Sequence, residues 1–363
     1  MSPFRFALLL AATVVAVGLA GWAIATRQVP AAGRTVDEPL VAGLLDRLDD
    51  IATIRFRRGE TVATVRRDGD VWRVEELRGY PADTARIRDL ALGLANLRLV
   101  ETKTAQADRL DRLDLGDPAT APADGAREIT LEDASGAVLA SVVLGRERPK
   151  LFGSAGSGIY VRRAGEDQAW LAAGELTVPD GPLKFAQVPI LDVGEGEVAR
   201  VTLDVAGPDP VVVLKHAPLD ETFALEGVSP GMQADNERLG RLAATLDMLQ
   251  VQDVMPAADR PLGPETRAVR FETWDGLVVT VTTDRPLNGP LPETWARFSV
   301  ATGPKLGDAP EIDPGAPDAA ERARTLQARL EPWVFRLTGT VGTRLGWGRD
   351  DLQMPLAPSG GGS

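Results

Sequence analysis

One helical apolar pattern occurs twice in this chain at a constant spacing, and it constrains the fold more than any other feature. In PADTARIRDLALGLANLRLV, from Pro81 to Val100, the residues Ile87, Leu90, Ala91, Leu94 and Leu97 fall at three- and four-residue steps on one helix face. With Leu99 added, they match Leu239, Leu242, Ala243, Leu246, Leu249 and Val251 without a gap, each pair 152 positions apart (239 minus 87). Amphipathic helices resemble one another by chance, so the flanks decide the matter. Upstream, ATIRF at Ala52 parallels ARVTL at Ala199, and Trp72 parallels Phe223. Downstream, REITLEDASGAVLASV from Arg127 parallels RAVRFETWDGLVVTVT from Arg267, with Glu132 and Glu272, Gly136 and Gly276, Val138 and Val278 in step. Both downstream stretches alternate apolar and polar residues around a glycine-bearing turn, which is hairpin chemistry. Three short strands, ATIRF, TVATVRR and VWRVEEL, lead into the first helix, with Asp83 as its N-cap. The expected fold class is α+β: two tandem homologous units, 45–192 and 197–352, each an antiparallel sheet with a packed helix and a hairpin-rich extension.

Ahead of these units the chain reads differently. Phe6 to Ala25 is an uncharged run of twenty residues, and at 1.5 Å per residue it covers about 30 Å, the thickness of a bilayer's hydrocarbon core. The expectation is a transmembrane anchor over 1–27, with Trp22 at its interface. The rival is a cleaved signal peptide, since Ala23-Ile24-Ala25 has the small-x-small form of a cleavage site. Either places the rest outside the cytoplasm, so the expected location is a bacterial inner membrane, single-pass, with the bulk of the chain in the periplasm. Residues 28–44 read as a linker and the start of a short helix over Leu40 to Leu48, and 353–363 as a disordered tail ending in SGGGS.

Composition excludes several chemistries. A formal net charge of -12 opposes binding to a phosphate backbone. The absence of cysteine removes disulfides, thiolate zinc sites, iron–sulfur clusters and cysteine nucleophiles, and a single histidine leaves little metal chemistry. The remaining site candidates have plainer readings. GSAGSG at Gly153 to Gly158 lacks the Gly-Lys-Ser/Thr ending and precedes a strand, IYVRR, where a nucleotide loop needs a helix. Ser154 and Ser157 have no nucleophile elbow, and His216 closes an alternating strand. Asp108, Asp111, Asp114 and Asp117 recur every three residues, but Leu110, Leu113 and Leu115 interleave as packing residues and the spacing is not that of a calcium loop. Asp49-Asp50 and Asp350-Asp351 lack the context of a general acid and its partner. No catalytic, cofactor or metal residue is expected. Most of the tryptophans are expected in the core. Trp274, in the turn before Asp275-Gly276, and Tyr80, just ahead of the first helix, are the two residues offered for partner contact.

Several segments in a fixed order carry a resemblance. They are DGDVWRV, the GYPAD element at Gly79 to Asp83, RIRDLALGLANLRLVETKT, RLDRLDLGDP at Arg109 to Pro118, REITLEDASGAVLASVVLGR, GIYVRRAGEDQAWLA and PWVFRL. Together they resemble the bacterial family called domain of unknown function 4340. The second unit departs from the pattern, with Met232-Gln233-Ala234-Asp235 in place of Tyr80-Pro81-Ala82-Asp83. The resemblance implies an envelope protein associated with ABC-type transport and gliding-motility-like auxiliary systems, and no catalytic residues. The expected function is a non-catalytic, membrane-anchored periplasmic accessory or scaffold protein of a membrane assembly, an ABC-type transporter above all. The alternatives are a glycan- or lipid-binding module and, behind it, an envelope hydrolase.

Overall fold

The fold is taken from a computed structural model that describes residues 35–149, 157–263, 265–284, 293–307 and 317–356. In chain order, β1 (Thr35–Pro39) and β2 (Ile51–Arg58) are followed by β3 (Thr61–Asp68), β4 (Val71–Val74) and β5 (Tyr80–Pro81). Helix α1 (Thr84–Asn96) leads to β6 (Arg98–Thr102), β7 (Arg127–Asp133), β8 (Val138–Arg148), β9 (Gly158–Arg163) and β10 (Trp170–Ala173). After the one-turn α2 (Pro182–Phe185) come β11 (Val198–Leu203), β12 (Val211–Leu214), β13 (Ala224–Leu225), β14 (Met232–Ala234) and α3 (Asn236–Ala243). Next are β15 (Val251–Pro256), β16 (Thr266–Thr273), β17 (Leu277–Asp284) and β18 (Trp295–Thr302). Helix α4 (Ala319–Leu330), β19 (Trp333–Leu337), α5 (Gly339–Leu345) and β20 (Gln353–Pro355) complete the described chain.

The chain divides into two compact units whose boundaries differ from simple halves. The first takes the chain up to Thr61 and then Arg88–Val178; the second takes Val62–Ile87 and everything from Pro179. In the first unit, antiparallel neighbours run β1-β6-β10-β9-β8-β7-β2. In the second they run β15-β19-β18-β17-β16-β11-β12-β13. The path β6-β10-β9-β8-β7-β2 in one is the path β15-β19-β18-β17-β16-β11 in the other. The sequence repeat is thus a repeat of strand topology. Its helical faces behave alike, since Ile87, Leu90, Ala91, Leu94, Leu97 and Leu99 are all buried and so are their six counterparts from Leu239 to Val251. Both helices start on the same device: Asp83 accepts from the Ala85 and Arg86 amides at 3.0 and 3.1 Å, and Asp235 accepts from the Arg238 amide at 3.1 Å.

Burial follows the pleat. In β17 the side chains of Leu277, Val279, Val281 and Thr283 point inward and alternate with half-exposed Val278, Thr280 and Thr282. At α1, Gly93 lets the helix approach the 175–176 segment closely, for a Cβ there would lie 2.9 Å from the Leu176 side chain and 3.1 Å from the Glu175 carbonyl oxygen.

The α+β expectation is corrected by this architecture. The described protein is mostly β, 39% strand against 24% helix, in large antiparallel sheets. The excess of strand arises because segments without a clear period are drawn into the sheets by pairing. Thr35–Pro39, expected to be linker, becomes β1 along β6, and the expected short helix over 40–48 is instead a 3₁₀ turn at Leu45–Asp50. The expected transmembrane anchor falls on residues 1–27. Residues 6–25 lie outside the described residues, and among the described residues no helix is long and apolar enough to cross a membrane.

Candidate functional site

The two residues offered for partner contact are both interior. Tyr80 pairs through its backbone with Val74, and its side chain is 1% exposed. Its ring meets Trp333 and Phe335 edge-on, at centroid distances of 5.1 and 5.9 Å, and its hydroxyl donates to the Gln187 carbonyl at 3.3 Å. Burial pushes its pKa up to about 12, with Arg329 pulling the other way. Trp274 is 3% exposed. Its amide donates to the Glu197 carbonyl at 3.0 Å, and its own carbonyl accepts from Leu306 at 3.2 Å. Gly307 lies so close that a Cβ there would sit 3.0 Å from the indole. The turn is exposed in a two-strand reading, but the chain leaving β18 comes back over it, and that return buries the indole. Neither ring is presented to solvent.

Around Trp274 the charges are used internally. Arg322 of α4 reaches Asp275 at 3.3 Å and Glu197 at 2.8 Å, while Asp275 also accepts from the Leu277 amide at 3.3 Å and from the Thr273 hydroxyl. The other sequence candidates settle into local structure too. Ala107–Leu113 is a 3₁₀ helix, after which Asp114 takes a left-handed conformation and receives Arg146 at 3.0 Å. Arg162 donates to the Leu115 and Gly116 carbonyls at 2.7 and 2.9 Å, and Asp117 caps its own turn at the Ala119 amide, 2.9 Å. Asp50 pairs with Arg47, Asp350 accepts from Gln353, and Asp351 accepts from the Gly348 amide. His216 is exposed, and its backbone amide bonds Asp220. Ser157 donates to the Gly174 carbonyl at 3.3 Å, whereas Ser154 and residues 153–156 lie outside the described residues. Among the described residues, no three of His, Asp and Glu come together in a group that could hold a metal.

A groove of about 590 Å³ lies in the second unit between the end of β18 and one face of α4. Its floor is Val300 and Thr302; its wall carries Ala323, Arg324, Gln327 and Glu331 at helical spacing. The pairing register explains why it exists. β18 bonds β17 over its whole length, but its pairs with β19 stop at Trp295 with Arg336 and Ala296 with Phe335. Gly303 donates to the Gly276 carbonyl, so the odd-numbered residues of β18 bond β17 and the backbone groups of Phe298, Val300 and Thr302 face the other way. Among the described residues no strand meets them. The Val300 amide is satisfied by a side chain instead, donating to Gln327 Oε1 at 2.7 Å. The equivalent strand of the first unit is closed: β9 pairs with β10 from Val161 with Trp170 down to Gly158 with Ala173. Periodicity in WARFSVAT and DAAERARTLQARL marks the strand and the helix, but where β19 stops pairing leaves no trace in local sequence.

Comparison with known proteins adds one result. No curated protein and no solved structure matches this chain. The family model described as domain of unknown function (DUF4340) matches residues 72–266, more than half of the 363 residues, spanning α1, the strands β6 to β10 and the second repeat from β11 to β15. On that match, this chain belongs to DUF4340.

Proposed function

We propose that the protein is a non-catalytic accessory or scaffold of a membrane assembly on the periplasmic side of the bacterial inner membrane, with an ABC-type transporter as the partner its family resemblance implies. The observation that carries this reading is the use made of arginine. Guanidinium groups that in a binding or catalytic cleft would face a substrate are instead spent on backbone carbonyls, where they pin loops to sheets. Arg162 holds Leu115 and Gly116, Arg349 holds Glu226 and Gly227 at 2.5 and 2.9 Å, Arg267 holds Gly346 at 2.6 Å, and Arg238 holds Asp351 at 2.6 Å. Such clamps stiffen a surface that is to be recognised by shape. The rival, a glycan- or lipid-binding module, calls for a pocket walled by aromatic rings, and the residues lining the α4–β18 groove include none.

The test is affinity purification of the full-length protein from its own membranes in mild detergent, with identification of what accompanies it. Recovery of ABC-type transporter subunits in fixed proportion supports the accessory role. A solitary protein under every membrane-preserving condition overturns it.

A further inference from the structure

The outward face of the second unit's sheet carries two arginines that no acid of the described chain meets, and we propose that this face docks an acidic surface of a protein partner. This deepens the accessory reading and rests on it, because it gives that reading's partner a place to bind. The pleat decides which side chains stand there. Phe271, Val279, Val281 and Phe298 turn inward, so Arg270 of β16, Thr280 and Thr282 of β17, and Arg297 and Ser299 of β18 turn outward. Arg270 lies opposite Thr280, which lies opposite Ser299, while Arg297 lies opposite Thr282. The two arginines thus stand diagonally across β17, with Cα atoms about 12 Å apart at ordinary strand spacing and rise. Both are exposed, as is Ser299. Among the described residues neither guanidinium has an ion pair or a hydrogen bond, although the chain holds 52 Asp and Glu against 40 Lys and Arg.

The first unit shows the same face with its charges satisfied from within. There Arg55 lies opposite Thr130 and is neutralised by Glu132 through contacts at 2.9 and 3.3 Å. The Thr130 and Ser141 hydroxyls bond each other at 2.9 Å, and Ser141 donates to Glu128 at 3.2 Å. In the second unit the pair is reversed, Thr202 opposite Arg270, and Ala268 stands where the first unit has Glu128. Glu272, the counterpart of Glu132, lies 4.0 Å from Arg200 and is no partner of Arg270. Positive charge is therefore left on one face of a chain whose net charge is -12. Guanidinium forks held on a rigid sheet suit carboxylates, which accept two parallel N–H bonds from each. The overall charge repels an anionic bilayer, and Thr280, Thr282 and Ser299 between the arginines offer no large apolar group to insert. A sheet face gives breadth rather than enclosure, so it fits another protein's surface better than a small anion. The complementary occupant is a protein segment with two carboxylates that reach Arg270 and Arg297 together.

The experiment places the photo-crosslinking residue p-benzoylphenylalanine at Ala301, an exposed neighbour on the same face, in the full-length chain in its own membranes. The adduct is mapped by mass spectrometry, with and without the double charge reversal Arg270→Glu and Arg297→Glu. The thermal midpoint of that variant is checked against the unchanged protein, and Arg270→Gln with Arg297→Gln replaces it if the midpoint falls. The expected result is an adduct with one protein, through a segment carrying at least two Asp or Glu, that weakens about tenfold or more in the double variant. It should recover when the charge-reversed chain meets a partner whose acids are changed to Lys. Four results overturn the proposal. They are no protein adduct, an adduct with lipid alone, an adduct between two copies of this chain, and a protein adduct that the double variant leaves unchanged. The accessory reading fails separately. A charge-sensitive acidic partner that belongs to no membrane assembly sinks that reading and leaves the docking face standing. Transporter subunits that co-purify equally with the double variant leave the accessory reading standing and remove this face as the docking point.

Discussion

The turn between β7 and β8 and the turn between β16 and β17 hold the same place in two copies of one strand path, and each bends on a left-handed glycine, Gly136 at φ 83° and Gly276 at φ 94°. Their surroundings differ completely. Ala134, Ser135 and Gly136 are exposed, and the first turn is stabilised from within, Asp133 accepting from the Ser135 and Ala137 amides at 2.9 and 3.0 Å. In the second, Trp274 and Gly276 are buried under the chain from Gly303 to Gly307, and Asp275 is tied to Arg322 of α4. The same excursion that buries this turn, from the end of β18 through α4 to β19, interrupts the β18–β19 pairing and opens the groove. A duplicated fold has therefore put its novelty into one connection. That connection turns an exposed hairpin into core and, beyond Ala296, gives β18 the side chain of Gln327 on α4 in place of a paired strand.

The largest effect that can break this comparison is at the tryptophan. Trp274→Ala should cost about 3–5 kcal/mol in denaturant unfolding, as large buried aromatics do, whereas Ala134→Ser at the equivalent place should stay within about 0.5 kcal/mol. Similar costs at both sites would mean that the second turn is not core. A smaller effect concerns the residues ahead of the two helices, where Tyr80 is buried and its counterpart Met232 is half-exposed. Because the folded Tyr80 has a pKa raised from 10.0 to about 12, its unfolded form loses the proton first. The stability it contributes is fully present below pH 10 and is lost as pH rises from there toward the folded value. The alkaline fall in stability measured by thermal unfolding should be shallower in Tyr80→Phe, by a few kcal/mol at most, and unchanged by Met232→Leu. The smallest effect is at the first turn. The Ser135 hydroxyl above all, then the Ala137 amide, hold the Asp133 carboxylate below its ordinary range. Its contribution is present above the ordinary carboxylate pKa and is lost as pH falls through the folded value. In Asp133→Asn the acid limb of the stability profile should be slightly flatter, and an unaltered acid limb would show that the turn gains nothing from that charge.

Much of the framework was legible in the residues. The repeat at 152 positions, both helical faces and Asp83 as a cap all depend on local periodicity and capping chemistry, which a linear sequence carries. What was not legible depends on contacts distant in the chain. Nothing in TVATVRR or VWRVEEL says that Val62–Ile87 will join the unit built from Pro179 onward, yet Tyr80 finds its ring partners at Trp333 and Phe335. GTVGTRLGWGRDDL shows no tidy period because it is a short helix capped by Thr338, followed by a turn fastened by Arg267 and Arg349. Trp274 looked exposed because a turn residue usually is, and only the return of Leu306 and Gly307 buries it. The groove is the extreme case. It follows from the register at which β18 stops pairing with β19, between residues as far apart in the chain as Trp295 and Arg336.

The most direct test of a strand amide satisfied by a helix side chain is residue-resolved hydrogen exchange at Val300, in the unchanged protein and in Gln327→Ala. With its acceptor gone, Val300 should exchange about tenfold faster, while Tyr160 and Ile159, on the strand-paired β9, stay as they were. If Val300 remains equally protected without Gln327, its protection does not come from that side chain, and the account of how the second unit satisfies this strand is wrong.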